Sequence, residues 1–201
     1  MFRFARFLSW ILHPLLMPTY GTALLIHYNS YLRYSFSSLY INLVYVVIFG
    51  TTFLLPSIIS YLLLKKGWIK SLEMDNREER TIPFITTSFC YCFAYYITSR
   101  MYLPPLFGLL ILGATAAVII ATLINLQWKI SIHMIGIGGI TGALICMTQK
   151  IVQDLLPAII VSIVAAGLLG SARLVLKSHN QSQIYAGFVI GMLTGCVMLL
   201  F

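Results

Sequence analysis

Charge is what this sequence has least of. Asp, Glu, Lys and Arg together make up 9% of the 201 residues, and only five residues are acidic. Soluble domains carry about a quarter charged residues, so a water-soluble enzyme or binding module is a poor description. No internal repeat and no low-complexity segment is apparent. Cysteine is also sparse. The four, Cys90, Cys92, Cys146 and Cys196, all fall inside apolar stretches. They read as small buried hydrophobes, neither a disulfide framework nor a metal site. The thirteen Lys and Arg give a formal net charge of +8, but they are scattered through short connections. That distribution makes nucleic acid an unsuitable partner and points to anionic headgroups or phosphate esters.

Hydrophobic residues, by contrast, make up 60% of the chain, with a mean hydropathy of +0.93. Apolar runs of about 18 residues recur along the whole length, the signature of membrane-spanning helices. The runs are continuous, whereas a membrane β-barrel would alternate. The expected fold is therefore all-α: a polytopic transmembrane helical bundle of six to seven segments, with residues 1–201 forming one integral membrane domain.

The first run, 8–27, follows Arg3 and Arg6 as a signal peptide would. It lacks a small-residue cleavage site and holds two prolines, so it reads as a retained helix kinked at His13-Pro14 and Pro18. His13 could face a polar cavity, but reads first as an interfacial residue or one bonded to a neighbour. A tyrosine-rich connector, 28–34, suits an aromatic belt. The second run, 40–64, contains Pro56. Runs at 83–99 and 104–126, joined by a tight connection, suggest a hairpin, either two spans or a partly re-entrant pair. The run 132–148 carries Gly136, Gly138, Gly139 and Gly142, and the run 184–201 carries Gly187, Gly191 and Gly195. Both glycine sets read as helix-packing surfaces. Between them lies the run 152–176.

Three polar breaks interrupt this pattern, at about 65–83, 127–133 and 171–183. With seven segments, they share one face with the amino terminus. That face then holds ten of the thirteen cations, and Arg33, Arg100 and Lys150 hold the other. The positive-inside rule favours a cytoplasmic placement for the ten, but cations used by a site would not count, so orientation stays open. Two of the four histidines, His133 and His179, lie in these breaks, with Lys70, Arg77, Arg80, Lys129, Arg173 and Lys177 nearby. Polar groups at a membrane boundary are costly and invite a functional reading. A histidine that attacks phosphorus needs a free ring nitrogen, a partner for the other, cations on the phosphoryl oxygens and an acid for the leaving group. Were one helix to run through Arg173 and His179, they would point about 120° apart; a bend near 177–180 would bring them together.

These residues resemble the phosphatidic acid phosphatase type 2 superfamily, which includes the vanadium haloperoxidases. That family carries Lys-x6-Arg-Pro, Pro-Ser-Gly-His and Ser-Arg-x5-His-x3-Asp. Here Arg173-x5-His179 matches the third motif, with Gln183 at the Asp position. Ser131-Ile132-His133 matches the second. Lys70-x6-Arg77 keeps the spacing of the first without its proline, which Arg80-Thr81-Ile82-Pro83 supplies later. The resemblance spans about 70–201. It implies a lipid phosphatase of a bacterial inner membrane, acting on phosphatidic acid-type or polyprenyl (di)phosphate substrates through a phosphohistidine, with no metal and no other cofactor. It implies His179 as nucleophile, His133 as general acid, and Arg173, Lys70, Arg77 or Arg80 with Ser131 as phosphate binders. Gln183 would orient the nucleophile in place of Asp, or Asp75, Glu78 or Glu79 would do so through space. Ser171 is displaced by one position, and Ile132 replaces a glycine. Two other readings stand beside it: a degenerate member that binds a phospholipid or carrier lipid without hydrolysis, and a small transporter or assembly subunit. The oligomeric state is not legible.

Overall fold

The structure, a computed structural model, describes residues 1–74, 76–149 and 151–200, with no account of the side chains of 197–200. Asp75, Lys150 and Phe201 lie outside the described residues. The described chain is helical, with no strand. In order come α1 (Phe2–Ile11), a 3-10 turn (Pro14–Leu16), α2 (Met17–Tyr28), α3 (Ser30–Ser35), α4 (Ser38–Phe49), a π turn (Gly50–Leu54) and α5 (Leu55–Lys65). Then follow α6 (Arg77–Arg100), α7 (Pro105–Asn125), α8 (Ile132–Met147), α9 (Leu156–Val175) and α10 (Gln181–Leu200). Among the described residues, three helices are long and apolar enough to cross a membrane: Ser38–Lys65, Pro105–Asn125 and Leu156–Val175. Ile132–Met147 is a shorter apolar helix.

Proline sets the local departures. The first apolar run is not one kinked helix but two, because Pro14 starts a new turn after the extended His13. α1 buries only Ala5 and Ser9 and leaves Phe2, Phe4, Phe7 and Trp10 exposed. In 38–65 the chain stays helical through Pro56. Proline has no N–H to give the preceding turn, and the helix widens into a π turn just before it. Thr51 and Thr52 hydroxyls donate to the carbonyls of Val47 and Ile48 there. Pro83 does not open a helix. α6 begins six residues earlier at Arg77, with Glu78 and Glu79 in its first turn, where acidic side chains complement the helix dipole. α6 and α7 are thus uninterrupted helices of 24 and 21 residues.

The glycines bring α8 and α10 into backbone contact. A Cβ on Gly142 would overlap the Met192 carbonyl, and one on Gly191 the Ile135 carbonyl. This close approach corrects the reading of the cysteines. Cys146, one turn beyond Gly142, forms a disulfide with Cys196 across a Cα–Cα distance of 5.4 Å, which the bond's geometry allows. Cys90 is buried and Cys92 exposed, and both are free. The glycine spacing marked two packing surfaces, but that they meet each other, and that Cys146 and Cys196 pair across them, came only from the structure.

Candidate functional site

Hydrogen bonds gather the polar breaks at one end of the bundle. Arg77 Nη1 donates to the Gln127 carbonyl at 2.6 Å, and Asn125 Nδ2 donates back to the Arg77 carbonyl at 3.0 Å. Arg80 Nε donates to the Met74 carbonyl at 2.7 Å and its Nη1 to the Ile130 carbonyl at 3.4 Å. The Ser131 amide donates to the Gln183 carbonyl at 3.4 Å. The start of α6 therefore ties Met74 to the 126–131 connection, which in turn meets the start of α10.

Beside these ties lies a cavity of about 210 Å³. α9 supplies Arg173, the 176–180 turn supplies His179, and α8 supplies Ile132 and His133. α6 supplies Arg80, Pro83, Phe84 and Thr87, and α5 supplies Ser57 and Ser60. Leu72, Glu73 and Met74 close one side, and His13, Pro14 and Leu15 another.

His179 is positioned by two helix ends. At the end of α9 the Ser178 amide donates to the Arg173 carbonyl and the Lys177 amide to the Leu174 carbonyl. This is a Schellman motif, and Lys177 occupies its left-handed position at φ 53°. Glycine usually stands there. The turn reverses the chain six residues after Arg173, so that both residues face one cavity. At the start of α10, Asn180 and Gln183 form a reciprocal capping box: the Gln183 amide donates to Asn180 Oδ1 at 3.0 Å, and the Asn180 amide donates to Gln183 Oε1 at 3.3 Å. His179 Nδ1 lies 2.9 Å from that same Oε1. Because the backbone amide fixes which Gln183 atom is the oxygen, His179 must carry its hydrogen on Nδ1. Its Nε2 is left as a lone pair.

Burial, foremost, holds the His179 imidazole down at about 3. Arg80 lowers it next, and Arg173 and Lys129 add smaller amounts, against the opposing effect of the hydrogen bond that His179 donates to Gln183. At neutral pH the ring is uncharged.

The other histidines differ in state. His133 Nε2 lies 3.2 Å from the Ser9 carbonyl oxygen, so Nε2 carries the hydrogen. His13 Nδ1 accepts from the Leu15 amide at 3.3 Å, which likewise puts the hydrogen on Nε2. The two rings meet edge to face, 5.8 Å apart.

Of the residues singled out from sequence, His179, His133, Arg173 and Arg80 line the cavity, and Gln183 holds His179 from behind. Lys70, Arg77 and Ser131 do not line it. Lys70 is exposed, its amide donating to Glu79 Oε2 at 3.2 Å. Arg77 is engaged by Gln127, and the Ser131 hydroxyl is buried without a hydrogen-bond partner. Sequence reasoning gave too little weight to His13 and none to Glu73. The signal for His13 was a His-Pro pair inside an apolar run, where a polar ring needs somewhere to point. No group of three or more His, Cys, Asp or Glu among the described residues is arranged to hold a metal ion. The cavity wall carries the guanidinium groups of Arg80 and Arg173, the imidazoles of His179, His133 and His13, and the Glu73 side chain; the guanidinium pair suits an anion with several oxygens. No known family model, curated protein or solved structure matches this chain.

Proposed function

We propose that this chain is an integral membrane phosphatase that cleaves a lipid phosphate or diphosphate in the cavity between α5, α6, α8 and α9. In this reading it is a divergent member of the phosphatidic acid phosphatase type 2 superfamily, in a bacterial inner membrane, with six to seven of its helical segments spanning. The observation that carries the reading is the His179–Gln183 contact of 2.9 Å on a cavity shared with Arg80 and Arg173.

The His179 Nε2 lone pair attacks phosphorus, a P–N bond forms and the bond to the lipid oxygen breaks. Arg80 and Arg173 carry the charge that builds on the equatorial oxygens. His133 serves the leaving oxygen through Nδ1, since Nε2 is engaged by Ser9. Nδ1 takes the proton of a monoanionic phosphate and passes it to that oxygen. Water then attacks the phosphohistidine, the P–N bond breaks and inorganic phosphate leaves.

The test is phosphate release by the purified protein from a panel of lipid phosphates, without divalent metal, with and without vanadate. Vanadate-sensitive release that is absent in His179→Ala supports the proposal. Release unaffected by His179→Ala refutes it. A second reading, binding without hydrolysis, is favoured by the neutral Gln183, which accepts the Nδ1 hydrogen but gives no charge to stabilise an imidazolium. Lipid phosphate bound but never cleaved would establish it.

A further inference from the structure

The apolar helices Ser38–Lys65, Pro105–Asn125 and Leu156–Val175 all run the same way through the bundle. Each ends beside the polar cavity. Ser57 and Ser60 of the first and Arg173 of the third line it, and Asn125, closing the second, bonds the Arg77 carbonyl. Their starts gather at the other end. Leu32, Phe107 and Leu155, which precede or open the three helices, share a buried cluster there with Cys146. Gln153 Nε2 donates to Ser30 Oγ at the same end. The bundle therefore has a cavity end and a far end, and in a membrane these face opposite sides.

Two independent observations say which side each faces. The first is charge. Cations held in a site are no guide to orientation, so Arg80 and Arg173, which line the cavity, are set aside. At the cavity end that leaves Lys65, Lys66, Lys70, Arg77, Lys129 and Lys177 in the stretches flanking the three helices. The stretches flanking their starts hold Arg33, Arg100 and, by sequence, Lys150. An excess of Lys and Arg in short flanking loops marks the cytoplasmic side.

The second is the disulfide. From His133 to Cys146, α8 rises about 20 Å, and from Gln181 to Cys196, α10 rises about 22 Å, at 1.5 Å per residue. The Cys146–Cys196 bond thus lies past the middle of a hydrocarbon core about 30 Å thick, within the cluster at the far end. Disulfides form and persist in oxidising compartments and are rare where thiols are kept reduced, as in the cytosol. The far end therefore belongs outside, and the cavity end inside.

We propose that the polar cavity opens to the cytoplasmic side, so that it takes lipid phosphates from the inner leaflet and releases inorganic phosphate into the cytoplasm. The leaflet assignment rests on the phosphate reading above, whereas the orientation stands on charge and disulfide alone.

The test uses Lys66→Cys at the cavity end and Tyr102→Cys at the far end. Both residues are exposed and neither lines the cavity. A membrane-impermeant maleimide is added to intact cells and again after permeabilisation, with wild type giving the background from Cys92. Tyr102→Cys is expected to label in intact cells, and Lys66→Cys only once the membrane is opened. Lys66→Cys labelled in intact cells, or Tyr102→Cys closed to the reagent there, overturns the orientation. The leaflet is read by offering a short-chain, membrane-impermeant glyceryl phosphate to sealed inverted and sealed right-side-out vesicles. Phosphate release is expected from inverted vesicles, and from right-side-out ones only after lysis. Release that is equal or faster in sealed right-side-out vesicles overturns the leaflet assignment and leaves the phosphatase reading standing. No release from either, even after lysis, sinks the phosphatase reading and the leaflet assignment with it, and labelling still decides the orientation.

Discussion

Replacing Gln183 with Glu tests the central contact most directly. Glu has the same length, so it keeps the capping box, in which Glu or Gln serves equally at the third helical position. It places a carboxylate where Oε1 now lies 2.9 Å from His179 Nδ1. At an effective dielectric of about 20 and charge centres about 4 Å apart, the attraction for an imidazolium is about 4 kcal/mol. Opposite charges at this range move pKa values by about 1 to 3 units. The His179 pKa should therefore rise from about 3 into the range of about 4 to 6. If His179 is the nucleophile, the attack that charges its ring should speed up by about 10- to 1,000-fold, at 1.36 kcal/mol per tenfold. The loss of about 10⁴ on neutralising the aspartate of a serine-protease triad shows that such a charge effect can be this large. Gln183→Asp is the weaker experiment, because one methylene less withdraws the carboxylate from the ring. The assay is an imidazole ¹⁵N NMR titration beside phosphate release. A His179 pKa unmoved in Gln183→Glu would refute the contact. A raised pKa without any gain in turnover would refute the nucleophile assignment.

Acid should destabilise the fold through the same residue. Between the ordinary histidine value of 6.5 and about 3, the unfolded chain takes up a proton that the folded site refuses. Stability therefore falls as pH drops through that window and is level above about pH 7. Thermal unfolding in detergent against pH reads this, and a slope unchanged in His179→Gln would contradict it. Gly142→Ala should force α8 from α10, since its methyl meets the Met192 carbonyl. A loss of about 1 to 3 kcal/mol is expected from such overpacking, together with a lower yield of the Cys146–Cys196 bond in a thiol-alkylation assay. Lys177→Gly should stabilise the protein by about 0.5 to 1 kcal/mol, because the left-handed φ of 53° strains any residue with a Cβ. A lower midpoint of thermal unfolding would show that the Lys177 side chain contributes more than the strain costs.

The helical, membrane-suited character followed from composition and from the length of the apolar runs, because hydrocarbon leaves the backbone no hydrogen-bond partner but itself. That the glycines form packing surfaces was also legible, since a stripe at i, i+4 and i+8 lets a neighbouring backbone approach closely; which helix each surface meets was not. The local chemistry at 180–183 was latent in the string too: Asn-x-x-Gln is a capping signature, and it explains why a glutamine stands beside the histidine. Other features depended on the tertiary structure. Arg77 and Arg80 share an element and a motif, yet one binds a loop carbonyl outside the cavity and the other enters its wall. They lie three residues apart on α6, and which neighbours meet each is decided by how α6 packs on the 126–131 connection. His13 is some 120 residues from His133, and their contact exists only because the chain breaks at Pro14. Cys146 and Cys196 pair for the same kind of reason. A linear pattern fixes which face of a helix is apolar, but which residues of different helices share a cavity is set by the packing between them.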